Sequence, residues 1–143
     1  MKTTQETLRI KDNIKEAILY TAFELSLKKW KLAFSNGEKM RTVSIDARNL
    51  AQLHEEIDKA KQRFALGDDI GMMSCYEAGR DGFWLHRYLL SCGIDNVVVD
   101  SASIEVNRRK RRAKTDRIDV RKLMHMLLRY HGGEQLVWSV VNV

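Results

Sequence analysis

The chain has 143 residues, of which 44% are hydrophobic and 31% are charged, and its net charge at pH 7 is +6. This size is typical of one globular domain with a substantial core, and the composition excludes a disordered chain. Apolar runs far shorter than the roughly 18 residues of a membrane span, a polar N-terminus and only two cysteines predict a cytoplasmic protein without membrane association or disulfides.

The first third of the chain has the pattern of three antiparallel strands. The segment AILYTAFEL, residues 17–25, is apolar and rich in β-forming residues, which predicts a buried strand. Apolar and polar side chains alternate over residues 29–34, which predicts a half-buried strand. Asn36-Gly37 is a strong hairpin signal, and Met40–Ile45 supplies the returning strand.

After the third strand the apolar period changes to that of helices. Apolar residues three and four apart predict an amphipathic helix from Asp46 to Phe64, with Asp46 as its N-cap. A strand is predicted over residues 70–76, just before Glu77, and a helix follows that opens at Gly79 and Gly82 and continues to about Cys92. A second strand is predicted over 96–99. Two helical stretches come next, the second from an N-cap at Thr115 to Tyr130, and a final strand is predicted over 136–143.

This order predicts an α/β fold. A meander followed by βαβ units forms a mixed sheet with helices on both faces. Functional groups in such sheets collect at the carboxyl ends of the parallel strands, where Glu77 lies.

Four carboxylates are candidates for chemistry at that edge: Glu24, Glu77, Asp116 and Asp119. Glu24 lies within an apolar strand, where an unpaired charge costs several kcal/mol, so a compensating partner is expected. Asp116 and Asp119 are three residues apart and share one face of the predicted helix. Clustered carboxylates bind Mg²⁺, and paired ions catalyse phosphoryl transfer. The structural alternative is that Glu77 ends a strand and that the aspartates stabilise a helix N-terminus by about 0.3–1 kcal/mol.

A block of basic residues precedes these aspartates. It contains six positive charges within seven residues: Arg108, Arg109, Lys110, Arg111, Arg112 and Lys114. Such a block favours binding to nucleic-acid phosphates, and its alternative is a solvated helix face.

Four segments resemble motifs of one family, and one of them is the stretch of residues 93–114 that leads into the basic block. KTDRIDVRKL (114–123) closely resembles the K-T-D-R-I-D-A signature of the DEDD transposases of an insertion-sequence family that is related to pilin-gene invertases and guided by a bridge RNA. YEAGRDGFWLHRYL (76–89) resembles the family's E-A-T/C-G segment. AFELSLKKWKLAF (22–34) resembles its opening G-I-D-V-S-K strand and hairpin, and the resemblance extends over roughly residues 18–132.

The resemblance implies that residues 1–143 form a single ribonuclease H-like (RuvC-like) catalytic domain for DNA transposition. It implies that Glu24, Glu77, Asp116 and Asp119 are catalytic ligands of Mg²⁺ or Mn²⁺, with two ions bound. It also implies DNA and a guide RNA as partners, and a homo-oligomer. The family has Asp where this chain has Glu24, so we expect weaker metal binding than with Asp. Its C-terminal domain with a nucleophilic serine has no counterpart here, so we expect a truncated chain.

The sequence is also compatible with two other functions. One is a non-catalytic nucleic-acid-binding module on the same fold, which has lost activity at Glu24. The other is a resolvase-like nuclease that is complete in itself. A reading frame that continues beyond Val143 into a serine-bearing domain would favour the transposase.

Overall fold

A computed structural model describes residues 17–79, 82–100 and 118–143. Within these ranges the chain forms five strands, three α-helices and one short 3-10 helix. The strands are β1 (Ile18–Leu25), β2 (Lys29–Ser35), β3 (Met40–Asp46), β4 (Gly71–Glu77) and β5 (Asp95–Val99), and the helices are α1 (Leu50–Arg63), α2 (Trp84–Ser91), α3 (Val120–His131) and the 3-10 helix Gln135–Val137.

The five strands form one mixed sheet in the order β3-β2-β1-β4-β5. β1, β2 and β3 are antiparallel neighbours, whereas β4 runs parallel to both β1 and β5. The β2–β3 hairpin turns at Asn36 and Gly37. The Asn36 side chain accepts hydrogen bonds from the backbone N–H groups of Glu38 and Lys39, and Gly37 has a φ of +101°. The meander, the parallel strands and the central position of β1 confirm the predicted ribonuclease H-like α/β class.

One face of the sheet packs against α1 and α2. Because strand side chains alternate between faces, Phe23, Trp30 and Tyr76 all point to this side. They meet Leu53 of α1 and Leu89 of α2 in a core that is closed to solvent.

The opposite face packs against α3 and the segment that follows it. Ala22 of β1 and Cys75 of β4 lie beneath Leu123 and Leu127 of α3, and Trp138 completes this second cluster. All five side chains are buried. Helices therefore cover both faces, as predicted.

The predicted start of α1 at Asp46 is wrong. Asp46 is the last residue of β3 and forms an ion pair with Lys29, so it remains in the sheet. The helix begins at Leu50, and its N-cap is Asn49, whose side chain accepts a hydrogen bond from the Gln52 N–H at 3.0 Å. An asparagine satisfies the exposed N–H groups of a helix start as well as an aspartate does.

The predicted strand over residues 136–143 is also wrong. The segment begins with a 3-10 helix that buries Val137 in the core beneath α3. Only an isolated antiparallel bridge between Val140 and Val99 follows, supported by a 2.7 Å hydrogen bond from the Val141 N–H to the Val98 carbonyl. The apolar residues of this segment pack on the core instead of forming a continuous ladder.

Candidate functional site

Glu24 lies near the end of the central strand, and its side chain is only 19% exposed. Its Oε1 accepts a hydrogen bond of 3.0 Å from the backbone N–H of Val120, the first residue of α3. Its Oε2 lies 4.0 Å from the Nζ of Lys31 on β2. The sequence predicts that a carboxylate in this strand needs compensation, and it receives it from a helix N-terminus and a lysine.

Asp119 lies at the same helix end. It is the N-cap of α3, and its Oδ1 accepts a hydrogen bond of 2.8 Å from the Arg121 N–H. Glu24 and Asp119 therefore bind successive backbone N–H groups, those of Val120 and Arg121. The positive end of the helix dipole favours both negative charges.

The start of α3 differs from the prediction. The predicted helix has its N-cap at Thr115 and carries both aspartates in its first turn, whereas α3 begins at Val120 and Asp119 precedes it. An aspartate is among the best N-cap residues because its side chain can replace the missing helical acceptor. Asp116 and Thr115 lie outside the described residues.

Glu77 is the last residue of β4, which runs parallel to β1. The register pairs Phe23 with Tyr76, so Glu24 and Glu77 are the next residues of the two adjacent strands. Glu24 lies two positions after Ala22, and Glu77 lies two positions after Cys75. Ala22 and Cys75 both belong to the core beneath α3. Strand alternation therefore places both carboxylates on the face that α3 covers, at the same end of the sheet.

The predicted nucleic-acid-binding block lies outside the described residues. This applies to all six of its members, which are Arg108, Arg109, Lys110, Arg111, Arg112 and Lys114.

The fit of a divalent ion depends on how many acids share this end of the sheet. In residues 17–79, 82–100 and 118–143, no group of three or more His, Cys, Asp or Glu side chains is arranged to hold a metal. A carboxylate offers about four lone-pair positions, so Glu24 can still coordinate a cation after accepting the Val120 N–H. The donors have the hard oxygen chemistry that Mg²⁺ and Mn²⁺ prefer. The acids therefore suit such an ion chemically, but the described residues do not by themselves form a metal site.

A polar network links the end of β4 to Gly82, α2 and β5. The hydroxyl of Tyr76 donates to the Gly82 carbonyl at 2.9 Å and accepts from the His86 N–H at 3.1 Å. The His86 ring lies 2.9 Å from the Asn96 amide nitrogen, and Asn96 in turn accepts a 2.7 Å hydrogen bond from the buried Ser74 hydroxyl. Paired buried polar groups of this kind favour one arrangement of strand and helix.

The sequence does not predict two of the partners of Glu24. One is the Val120 backbone N–H, which no side-chain pattern reveals. The other is Lys31, which faces Glu24 in the β1–β2 register. The pairing of residues between β1 and β2 could not be predicted from the sequence, because residues 26–28 contain no Asn-Gly or other signal that fixes a turn type.

Helices long and apolar enough for a membrane crossing do not occur in the described part of the chain.

Comparison with known proteins identifies a relative with a transposase name. No family model matches the chain. This chain is 40% identical over 130 residues to the protein named "Putative transposase y4rJ" of Sinorhizobium fredii. The overlap covers 87% of this chain and 33% of the relative. The chain thus spans about a third of the length of that protein.

A solved structure is similar at a much lower level. The crystal structure of Marinitoga piezophila Argonaute in complex with a 5′ OH guide RNA and target DNA is 16% identical, with a TM-score of 0.41. The match covers 59% of this chain and 16% of Argonaute. This likeness is too distant to support an assignment.

Proposed function

We propose that this chain is the catalytic domain of a DEDD transposase, which cleaves and joins DNA phosphodiesters with divalent metal ions. The observation that carries the proposal is the convergence on one helix end, where Glu24 and Asp119 accept the N–H groups of Val120 and Arg121. Glu77 ends the adjacent parallel strand on the same face. The similarity to a protein with a transposase name supports transposition as the biological context.

The carboxylates would bind Mg²⁺ or Mn²⁺, as two ions, with Asp116 as the fourth ligand. Such ions, when bound, activate the attacking oxygen and stabilise the leaving oxygen of a phosphodiester. The protein's own contribution is to fix the acids. Val120 and Lys31 hold the Glu24 carboxylate, and the Arg121 N–H holds Asp119. Side chains restrained in this way keep ligand positions within the narrow limits that catalysis requires.

The extra methylene of Glu24 has a role in this arrangement. The transposase family that the chain resembles has Asp at this position. In this chain the longer side chain reaches from β1 to the first N–H of α3, at 3.0 Å. Glu24 therefore joins the central strand to the helix whose N-cap is Asp119, in addition to its proposed role as a metal ligand.

The proposed partners are DNA and a guide RNA, bound through the basic block of residues 108–114, and the proposed assembly is a homo-oligomer in the cytoplasm. Lysine and arginine at consecutive positions neutralise phosphates without reading bases. This block would give affinity that depends strongly on salt concentration and little on sequence.

The decisive test separates the charge of Asp119 from its capping role. Asp119→Asn keeps a side-chain oxygen for the Arg121 N–H, whereas Asp119→Ala removes it at a cost of about 1 kcal/mol of stability. We expect both variants to abolish excision in a plasmid assay with the gene that encodes this chain. Only Asp119→Ala should lower the unfolding temperature.

A second outcome would favour the non-catalytic binding module. If the unaltered protein binds DNA but does not excise in this assay, the carboxylates are not catalytic and this alternative is favoured. Excision by Asp119→Asn at the wild-type rate would instead show that Asp119 is only a helix cap and not a metal ligand. The absence of a three-acid metal group among the described residues is the observation on which this alternative rests.

A further inference from the structure

Lys31 lies beside Glu24, and the proposed chemistry gives it no contact with the substrate. It pairs with Glu24 across the antiparallel β1–β2 ladder, so the two side chains share a face. Two residues further along β2, Ala33 belongs to the α3-side core, which confirms that Lys31 points to the same side. Its side chain is 59% exposed. The ammonium group is therefore open to solvent at the edge of the site.

The surface next to Lys31 is polar and open. α3 packs over β1, β2 and β4. On β3 the residues that pair with Lys31 and Ala33 are Ser44 and Thr42, and both are exposed. The Lys31 ammonium and the hydroxyls of Ser44 and Thr42 therefore form an exposed polar surface on the sheet, beside α3 and next to Glu24. These groups donate hydrogen bonds, as phosphate oxygens require.

The ion pair with Glu24 does not fully engage the Lys31 ammonium. At 4.0 Å the pair is long, and an exposed pair of this kind contributes little to stability. Lys29, on the same face, differs because its Nζ lies 2.6 Å from Asp46. Lysine has three donor hydrogens, so Lys31 can contact Glu24 and a further anion. It also offsets the repulsion between a phosphodiester and the carboxylates.

We infer that Lys31 binds a backbone phosphate of the nucleic-acid strand that enters the site, with Ser44 and Thr42 beside it. The inference rests on the proposed function, because the strand is its substrate. Lys31 approaches Oε2 of Glu24, whereas the Val120 N–H donates to Oε1, so the two contacts use different oxygens of the carboxylate.

The test compares Lys31→Ala with Lys39→Ala. Lys39 is an exposed lysine near the β2–β3 turn, so both variants lose one charge. Binding of a short fluorescent single-stranded oligonucleotide is measured by anisotropy without divalent ions over a series of salt concentrations. We expect Lys31→Ala to raise Kd about three- to tenfold and to reduce the slope of log K against log salt by about 0.7. Lys31→Arg should restore both quantities, and Lys39→Ala should leave them unchanged.

A third variant distinguishes failure of the inference from failure of the proposed function. It replaces Arg108, Arg109, Arg111 and Arg112 with alanine, and we expect it to weaken binding uniformly across sequences and to flatten the salt dependence. If it does so while Lys31→Ala behaves like Lys39→Ala, the role of Lys31 is refuted and the nucleic-acid function stands. If neither Lys31→Ala nor the four-arginine variant alters binding, both proposals are refuted.

Discussion

The two faces of the sheet are closed in different ways. The face beneath α1 and α2 is packed with aromatic and aliphatic side chains, and its buried Ser74 and Asn96 bond to each other. The face beneath α3 is apolar along most of the helix, but the helix start is fixed by the charges of Glu24 and Asp119. One helix is thus held by packing at its middle and by carboxylates at its N-terminus. The residues that stabilise the fold are therefore largely separate from the candidate chemical groups, because the acids lie at one end of one face.

The largest effect should come from the face that carries no chemistry. Trp30 is fully buried, and its ring lies 6.2 Å from that of Phe23 and 6.0 Å from that of Trp84. We expect Trp30→Ala to reduce the free energy of unfolding by about 3–5 kcal/mol, because it leaves a cavity between these rings. Denaturant titration measures this loss.

Trp30→Phe is the matched control. It keeps an aromatic ring and removes an indole N–H that has no hydrogen-bond partner among the described residues. It should cost less than Trp30→Ala. Equal losses in the two variants would show that the ring contacts do not stabilise this face, and a change in divalent-ion affinity would show that the two faces are not independent.

A smaller effect should appear at alkaline pH on the α3 side. Cys75 is fully buried, and burial raises the pKa of its thiol well above the ordinary range. The folded state therefore holds this proton more tightly than the unfolded state, whose thiol has a pKa of about 8.5. The stabilisation that results from this difference in pKa is fully present below the thiol pKa of the unfolded state. It is lost as the pH rises from there towards the thiol pKa of the folded state.

Cys75→Ala isolates this contribution. Between about pH 7.5 and 9.5 the wild type should lose about 1 kcal/mol more unfolding free energy than the variant, because only the wild type must bury a neutral thiol. Chemical denaturation at the two pH values gives the difference. Parallel pH profiles would mean that water reaches Cys75 and that the apolar part of this face is less closed than the structure indicates.

A change in stability of similar size should follow the loss of one hydrogen bond at the helix start. Glu24→Asp shortens the side chain, so the Val120 N–H loses its acceptor at a cost of about 1 kcal/mol. The same variant should bind Mg²⁺ more tightly, because it restores the side chain of the family that the chain resembles. Thermal unfolding and calorimetry separate the two effects, and an unchanged unfolding temperature would show that Glu24 does not anchor α3.

Much of the sheet follows from local sequence patterns. The alternation in β2, the Asn36-Gly37 turn and the apolar strands predict the antiparallel meander. The helix starts were harder, because Asp46 and Thr115 are good caps by type. The structure instead uses Asn49 and Asp119, since the ladder with β2 keeps Asp46 in β3.

The candidate site could be predicted only as a set of residue types. Glu24, Glu77 and Asp119 stand out as acids at strand and helix ends. Their partners could not be predicted, because a backbone N–H that is 96 residues away and a cross-strand lysine follow from tertiary packing and register alone. Asp116 and the basic block remain predictions, since both lie outside the described residues.

Calorimetric titration of Glu24→Gln with Mn²⁺ or Mg²⁺ tests the central claim most directly. The amide oxygen can still accept the Val120 N–H, so α3 should stay docked and the unfolding temperature should be close to that of the wild type. Because the ligand charge is lost, we expect the affinity for the ion to fall at least about tenfold. If Glu24→Gln binds the ion as tightly as the wild type, Glu24 is a structural anchor of α3 and the metal-dependent site is refuted.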